Sequence, residues 1–311
     1  MINLLYCFDH AYNKMAFTSI VSVLDCINEK VRIYIIHNSS EVNSLIPEYI
    51  KNHRNLEEIN VKIFSNHNNS FPNLEGSHVS EATYFRLFLE NYIEDEVDYL
   101  IYLDADVVCI KSPIDYFKST MASMKNKKLP IAVMNHNEVP INDNRLLNLG
   151  ITSGKYFNAG VMIIDYELWK KYKVLKKSIE IIEQNSNNLV LWDQDVLNVI
   201  FDGNFQDIIP YFNYRMDMLN FSEKEEEIIE KNVFLLHYYG KSKPWSVKGI
   251  SFGVAEYYQS EFRKLQLEKY HIVHNWKKGS LLSIFRIVLS GKIFSFKYPV
   301  RFLIESFKTL I

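Results

Sequence analysis

Only three cysteines occur in the 311 residues, Cys7, Cys26 and Cys109. Their number is odd, their spacing fits no metal-binding pattern, and two lie in or beside apolar runs. Reduced thiols in a core are therefore expected, and a disulfide scaffold or cysteine-based metal module is not. Charge of one sign is also scarce, at −2 net, but it is unevenly spread. From Trp276 onward the basic residues Lys277, Lys278, Arg286, Lys292, Lys297, Arg301 and Lys308 face a single acid, Glu305, so the tail carries +6 and the rest about −8. An acidic body argues against a nucleic-acid-binding core. No positively charged leader with an apolar segment and cleavage site opens the chain, which runs directly into Leu4 to Phe8, so a cytosolic protein is expected. What is plentiful is apolar and aromatic: 48% hydrophobic residues, with twenty Tyr and twenty Phe. Length and composition together favour one large, well-packed α/β core with a smaller appendage, divided as residues 1–250 and a helical C-terminal region, 251–311.

The most informative stretch is Tyr99-Leu100-Ile101-Tyr102-Leu103-Asp104-Ala105-Asp106. An apolar, β-branched and aromatic run reads as a buried strand, and it releases two carboxylates just where it stops. Residues i and i+2 of a strand point to one side, so Asp104 and Asp106 can share a divalent ion, with small Ala105 between them. Alone, an Asp-x-Asp is more often a solvated turn; the strand in front of it changes that reading.

Around this stretch, strand and helix alternate. Strands are expected at Leu4 to Phe8, Val31 to His37, Val61 to Phe64, Ile131 to Met134 and Val233 to Leu236, with helical spacing from Met15 to Leu24 and a mixed helical stretch to about His53. This order predicts a largely parallel sheet, whose ligands sit beyond the carboxyl ends of its strands, so that Asp9 and Asp104 face one crevice. Ser80 to Phe88 reads as a Ser-capped helix carrying Arg86 upstream of the paired acids, where a phosphate or carboxylate role competes with an ordinary surface charge. The polar segment from Asn135 to Gly154 is long enough to be a flap over the cleft.

Two further stretches carry chemistry-bearing residues. Phe157-Asn158-Ala159-Gly160 is a small-residue corner before a strand, compact enough for a sugar ring to approach the backbone. Trp192-Asp193-Gln194-Asp195 opens a helix with two acids and an amide in its first turn, an arrangement that by itself is read as capping. After the last strand, His237 can complete a metal set, Gly240 lets the chain curve round a diphosphate, and Lys243 can neutralise it. Without Asp104 and Asp106, His237 would be taken as a core histidine.

In their order along the chain, Tyr-Leu-Asp-Ala-Asp, Phe-Asn-Ala-Gly, Asp-Gln-Asp and His-x-x-Gly-x-x-Lys-Pro-Trp resemble the motifs of glycosyltransferase family 8, retaining nucleotide-sugar transferases with a GT-A fold. Within the family the likeness is to the bacterial lipooligosaccharide galactosyltransferase and glucosyltransferase group, over about residues 3 to 245. The resemblance implies a Rossmann-like, mostly parallel mixed sheet flanked by helices, and Mn²⁺ or Mg²⁺ held by Asp104, Asp106 and His237. It implies Asp9 at the uracil or ribose end, Tyr12 near the base, Asp104 also near the ribose, and His78 and Arg86 lining the donor pocket. It sets Asn158, Ala159 and Asp193 by the transferred sugar, Gln194 near the anomeric carbon with Asp193 and Asp195 beside it, and Gly240 and Lys243 on the diphosphate. The chain departs from the pattern at Ala11, where relatives carry an Asn near the nucleotide.

The expected activity is thus metal-dependent transfer of galactose or glucose from a UDP-sugar to a glycan acceptor of a bacterial surface polysaccharide, lipooligosaccharide or glycoprotein. A UDP-sugar hydrolase and a non-catalytic sugar-nucleotide-binding protein are the alternatives. The tail adds an expectation of its own. Leu281, Leu282, Ile284, Phe285, Val288 and Leu289 recur at helical spacing, and Pro299 can start a second helix with Phe302, Leu303 and Phe307. Flanked by cations and too short and charge-interrupted to span a bilayer, this is the pattern of an interfacial anchor on the inner face of the cytoplasmic membrane. Packing on the acidic body, or a homo-oligomer contact, is the competing reading.

Overall fold

The computed structural model describes residues 1–65, 71–72, 80–94, 96–136, 144–240, 242–273 and 280–309. Ten strands are found among them: β1 (Ile2–Phe8), β2 (Val31–His37), β3 (Leu56–Ile63), β4 (Tyr99–Leu103), β5 (Val107–Cys109), β6 (Ile131–Asn135), β7 (Phe157–Asp165), β8 (Gln206–Asp207), β9 (Tyr214–Arg215) and β10 (Leu235–His237). Seven form one sheet in the order β3-β2-β1-β4-β7-β6-β8. Its β3/β2, β2/β1, β1/β4 and β6/β8 pairs are parallel, while β7 runs antiparallel to both neighbours. The expected α/β class, with a mostly parallel mixed sheet flanked by helices, is what the chain adopts. β5, β10 and β9 make a second, three-stranded sheet.

Every residue of β1 is buried, as continuous apolar strands covered on both faces must be. Alternate residues supply two cores. Leu4, Tyr6 and Phe8 pack with the helix Asn13–Cys26 on one face, and Leu5 and Cys7 pack with Phe85, Leu89 and Trp169 on the other. The helix Ala255–Lys264 joins the first core through Ala255, Tyr258 and Phe262. The three cysteines are free thiols.

Several local expectations shift, each for a physical reason. β3 starts at Leu56 rather than Val61, because it lies at the sheet edge, where Glu57 and Glu58 can face solvent and pair with Lys30 and Arg32. The helical stretch before His53 is two single turns, Val42–Leu45 and Glu48–Lys51, parted at Ile46-Pro47, since the residue before a proline leaves the helical region. The segment capped by Ser80 is a 3₁₀ helix, Glu81–Asn91. β10 extends through His237 instead of stopping before it. Of the expected flap, residues 137–143 lie outside the described residues, and the remainder carries a short helix, Asn144–Asn148. The tail folds as two helices, Ser280–Leu289 and Pro299–Lys308, the latter with proline in its first turn as expected.

The connectivity gathers strand ends. β1 and β4 are parallel neighbours, so the residues that follow them, Asp9 and Asp104, leave at one edge. Because β7 is antiparallel to β4, its first residues lie at that same edge, where the Asp104 amide donates to the Gly160 carbonyl at 2.8 Å. Pairing of His237 with Val107 brings the end of the second sheet to the same place.

The core also fixes a pH response. His271 is buried, its ring centroid 5.0 Å from that of Phe262, and its Nδ1 shares a hydrogen bond with the Tyr258 hydroxyl at 2.6 Å. Burial, reinforced by Lys14, pushes this imidazole down to about 3. The unfolded chain takes up its proton near 6.5, so between these values the unfolded state binds more protons and stability falls as the pH drops. In denaturant titrations between about pH 6 and pH 4, His271→Phe should lower the slope of stability against pH by up to ~1.4 kcal/mol per pH unit. An unchanged slope would remove His271 from the acid response.

Candidate active site

Asp104, Asp106 and His237 each present a ligating atom, and these atoms lie within 4.8 Å of one another. His237 Nε2 is 3.3 Å from Asp106 Oδ1 and 3.9 Å from Asp104 Oδ2. Asp106 Oδ1 is buried without a hydrogen-bond partner. A carboxylate oxygen left so, facing an imidazole nitrogen and a second carboxylate, fits a divalent cation, which draws on all three donors at once. Burial alone would raise the Asp106 carboxyl, but Lys243 and His237 outweigh it and hold the group well below the usual carboxylate range. Lys243 Nζ donates to Asp106 Oδ2 and to the Tyr238 carbonyl, each at 2.6 Å. Gly240, in the turn between them, has φ +78°, the left-handed region in which glycine is unstrained.

Asp9 and Tyr12 stand at the end of β1. The Asp9 carboxylate caps the 3₁₀ turn His10–Tyr12 by accepting from the Ala11 amide at 3.0 Å. Burial pushes the Tyr12 hydroxyl up to about 12, and Asp106, Asp9 and Asp104 add to the effect, which places Tyr12 in the field of the acidic cluster.

Arg86 is buried on the opposite side of Asp104. Its Nη1 donates to Asp104 Oδ1 at 3.2 Å and to the Ala159 carbonyl at 2.7 Å, its Nε pairs with Asp193 Oδ2, and its guanidinium lies 4.4 Å from the Tyr102 ring centre. Burial raises the Asp193 carboxyl even though Arg86 and Thr83 oppose the shift. Both Asp193 oxygens are engaged, Oδ1 by the Thr83 hydroxyl at 2.6 Å. Asp195 is fully buried and takes hydrogen bonds from Tyr156, Arg145 and the amides of Val190 and Leu191. Between these acids, Gln194 Oε1 accepts from Asn158 Nδ2 at 3.0 Å and from the Ala159 amide at 3.1 Å.

The structure thus brings Asp104, Asp106, His237, Lys243, Arg86, Asn158, Ala159, Asp193, Gln194 and Asp195 into one connected network, with Asp9 and Tyr12 beside it. His78 lies outside the described residues. Several members had no role in the sequence reading: Thr83, Tyr102, Arg145, Tyr156 and Asn213. Tyr156 directly precedes the Phe-Asn-Ala-Gly motif, which is a local signal. Asn213 offers only its oddity as an amide after Pro210-Tyr211-Phe212, although its Oδ1 lies 2.8 Å from His237 Nδ1 and its Nδ2 donates to Asn158 Oδ1 at 2.8 Å.

Compared with known proteins, residues 3–249 match the profile described as Glycosyl transferase family 8. General stress protein A of Bacillus subtilis is 30% identical over 190 residues, 56% of this chain and 62% of that protein. The lipopolysaccharide 1,3-galactosyltransferase of Salmonella typhimurium is 31% identical over 184 residues, 57% of this chain and 52% of that protein. In both cases the match spans less than two thirds of the relative's own length. Among solved structures, the galactosyltransferase LgtC in complex with donor and acceptor sugar analogs superposes with a TM-score of 0.68 at 23% identity, covering 90% of this chain and 100% of that one. This likeness establishes the GT-A fold.

Gly160 sets the space between the ligands. A Cβ there would stand 2.4 Å from His237 Cε1 and 2.8 Å from Asp104 Oδ2, so a methyl group must displace two members of the candidate metal set. Gly160→Ala should weaken Mn²⁺ binding, measured calorimetrically without any donor, by about tenfold or more while the far-UV circular dichroism is kept. Wild-type affinity in a folded Gly160→Ala protein would show that the close approach has no bearing on metal binding.

Proposed function

Because the chain belongs to glycosyl transferase family 8, we propose that it is a metal-dependent, retaining hexosyltransferase. It moves galactose or glucose from a UDP-sugar to a glycan acceptor of a bacterial surface polysaccharide, lipooligosaccharide or glycoprotein. The observation that carries this reading is the convergence of Asp104, Asp106 and His237 beside Lys243 on one side and the Asn158–Gln194 pair on the other. Residues 1–250 form the transferase domain in this reading, and 251–311 the helical C-terminal region.

Asp104, Asp106 and His237 would hold Mn²⁺ or Mg²⁺, which when bound supplies positive charge to the departing diphosphate. Lys243 adds a mobile cation: its ammonium can exchange Asp106 for a phosphate oxygen, a charge-assisted bond that strengthens as UDP leaves. Gly240 lets the backbone curve round the diphosphate, and Asp9 and Tyr12 bind the nucleoside end. Arg86 holds Asp104 and Asp193 in place rather than facing the phosphate, since its guanidinium is already committed to both acids and the Ala159 carbonyl. Asn158, Ala159 and Asp193 bound the space for the transferred sugar.

In this reading Gln194 stands near the anomeric carbon, its Oε1 already accepting from Asn158 Nδ2 and the Ala159 amide. Because Asp193 is buried and held by Thr83 and Arg86, and Asp195 is buried and takes four hydrogen bonds, the reading favours a single-face route over attack by either carboxylate. In that route the anomeric carbon–phosphate oxygen bond breaks, the acceptor hydroxyl bonds to the carbon on the same face, and its proton passes to the leaving phosphate oxygen. A panel of UDP-sugars with Mn²⁺, scored by UDP release with and without glycan acceptors, tests the activity. Asp106→Asn removes a charge at nearly constant shape, and turnover should fall by orders of magnitude in a folded protein. Wild-type turnover in this variant, or undiminished rates in excess chelator, would end the metal-dependent reading.

We further infer that the tail attaches the enzyme to the inner face of the cytoplasmic membrane. None of the described helices is long and apolar enough to cross a membrane. The tail has two apolar faces rather than one: Ile284, Ile287, Ile293 and Phe302 pack inward against Val247, Ile250, Tyr270 and Ile272. Leu282, Phe285, Leu289 and Phe294 are 61–84% exposed. Arg286, Lys292, Lys297 and Arg301 lie among the exposed apolar residues, the pairing that suits an anionic lipid surface. Cutting the tail away would uncover Val247 and Ile250, so outward substitutions make the cleaner test. Leu282→Ser with Phe285→Ser and Phe294→Ser should abolish sedimentation with anionic phospholipid vesicles and leave Mn²⁺-dependent UDP release intact. Failure of the unaltered protein to bind such vesicles at low salt would sink the inference, and concentration-dependent dimerisation lost in the triple variant would assign the face to a second copy.

A further inference from the structure

Two backbone amides, not the titration of any side chain, decide which way the polar network at the site points. The Gly160 N–H donates to Asn158 Oδ1 at 3.0 Å, and the Ala159 N–H donates to Gln194 Oε1 at 3.1 Å. A backbone N–H cannot accept, so these two contacts fix the oxygen ends of both side-chain amides. With its oxygen on Gly160, Asn158 must present Nδ2 to Gln194, at 3.0 Å. The atom of Asn213 that meets Asn158 Oδ1, at 2.8 Å, must then be its nitrogen, which turns Asn213 Oδ1 toward His237 Nδ1, also at 2.8 Å. An amide oxygen there requires Nδ1 to carry a proton, so the lone pair of the neutral ring is placed on Nε2, the atom facing Asp106 and Asp104.

The same logic continues in the other direction. Gln194 Nε2 donates to the Tyr156 hydroxyl at 3.1 Å, and that hydroxyl donates to Asp195 Oδ1, which Arg145 also holds. Five hydrogen bonds therefore run head to tail from His237 to Asp195 with every donor pointing the same way. Aligned bonds of this kind polarise one another. Asn213 is wholly buried and is the link through which the chain reaches the histidine.

We propose that Asn213 is a positioning residue that sets the ring tautomer and orientation of His237 and couples the metal side of the site to the Asn158–Gln194 side. The inference rests on the metal-binding reading of Asp104, Asp106 and His237. It is independent of which sugar or acceptor is used.

Two substitutions separate the two jobs of Asn213. Asn213→Ala removes both, leaving the His237 Nδ1 proton without its acceptor. Asn213→Asp keeps an oxygen for that proton but offers no donor to Asn158 Oδ1. Mn²⁺ binding alone, followed by calorimetry and by electron paramagnetic resonance of free Mn²⁺, should weaken by about 10–100-fold in Asn213→Ala. In Asn213→Asp it should stay at or above the wild-type value. UDP-sugar turnover at saturating Mn²⁺ should still fall in Asn213→Asp, in kcat rather than in donor KM, because the sugar-side amides lose their alignment.

Equal Mn²⁺ affinity in wild type and Asn213→Ala, with only the melting temperature lowered, would overturn the proposal and leave Asn213 a core amide. Weakened Mn²⁺ binding in both variants would overturn the tautomer argument. Absence of Mn²⁺ binding by the wild type would instead overturn the metal reading itself. If Asn213→Ala does not fold, Asn213→Ser and the Asn213→Asp comparison keep the same contrast, since serine can accept from Nδ1 only across a longer reach and must bind Mn²⁺ more weakly than the aspartate.

Discussion

One buried cation holds the site together. Arg86 is withdrawn from water and meets Asp104, Asp193 and the Ala159 carbonyl, with the Tyr102 ring against its face. These four partners come from the end of β4, the helix Trp192–Phe201, the start of β7 and β4 itself, so a single planar group ties three segments distant in sequence. Taking a guanidinium and its carboxylates out of water costs several kcal/mol per ion, offset here by bonds to two acids and a carbonyl. Removing one partner of such a group costs roughly 3–5 kcal/mol, because the remainder stays buried and unpaired. Arg86 is thereby committed to the acids it holds and to the Ala159 carbonyl.

Around that cation the charges do not balance. Asp104, Asp106, Asp193 and Asp195 face Arg86, Arg145 and Lys243, four carboxylates against three cations. Asp195 has Arg145 to itself, while Asp104 and Asp193 share Arg86. Lys243 answers Asp106 alone, and Asp106 Oδ1 is left without a donor. Burial is the main cause of the raised Tyr12 hydroxyl, and Asp106, Asp9 and Asp104 add to it.

How much of this could be read from the chain depends on how local the cause is. Strands with continuous apolar burial, such as β1 and β4, announce themselves, and so do acids at their ends. The Asn-Ala-Gly corner was legible as compact, but not why: Gly160 is required because His237, 77 positions later in the chain, approaches to within a methyl group's radius. Asn213 and Arg145 left no mark, since their partners His237 and Asp195 are brought to them only by the fold. Asp195 is a partial case. Its position in a first helical turn reads as a cap, and it does take the Val190 and Leu191 amides, yet the same carboxylate ends the chain of hydrogen bonds from the histidine. In β3 and in the tail the signal failed at the level of single residues: the edge glutamates belong to the strand, and Ile284 turns inward while Leu281, Leu282, Phe285, Val288 and Leu289 stay exposed.

The tail is also nearer to the chemistry than its sequence position implies. Lys243 is followed by Ser246, which caps the short helix Val247–Ile250 and bonds back to the Lys243 carbonyl at 2.8 Å. Within that helix Gly249 lies so close that an added Cβ would stand 1.9 Å from the Lys243 oxygen. No side chain can be accommodated there without moving the backbone that carries the lysine. The other face of the helix, Val247 and Ile250, packs against Ile284, Ile287 and Phe302 of the tail. The lysine beside Asp106 is thus seated on a helix clamped between its own carbonyl and the inner face of the tail, and the outer face of that same tail is the apolar, cation-studded surface. Whatever fixes the tail in place also restrains the backbone from which Lys243 reaches the acids.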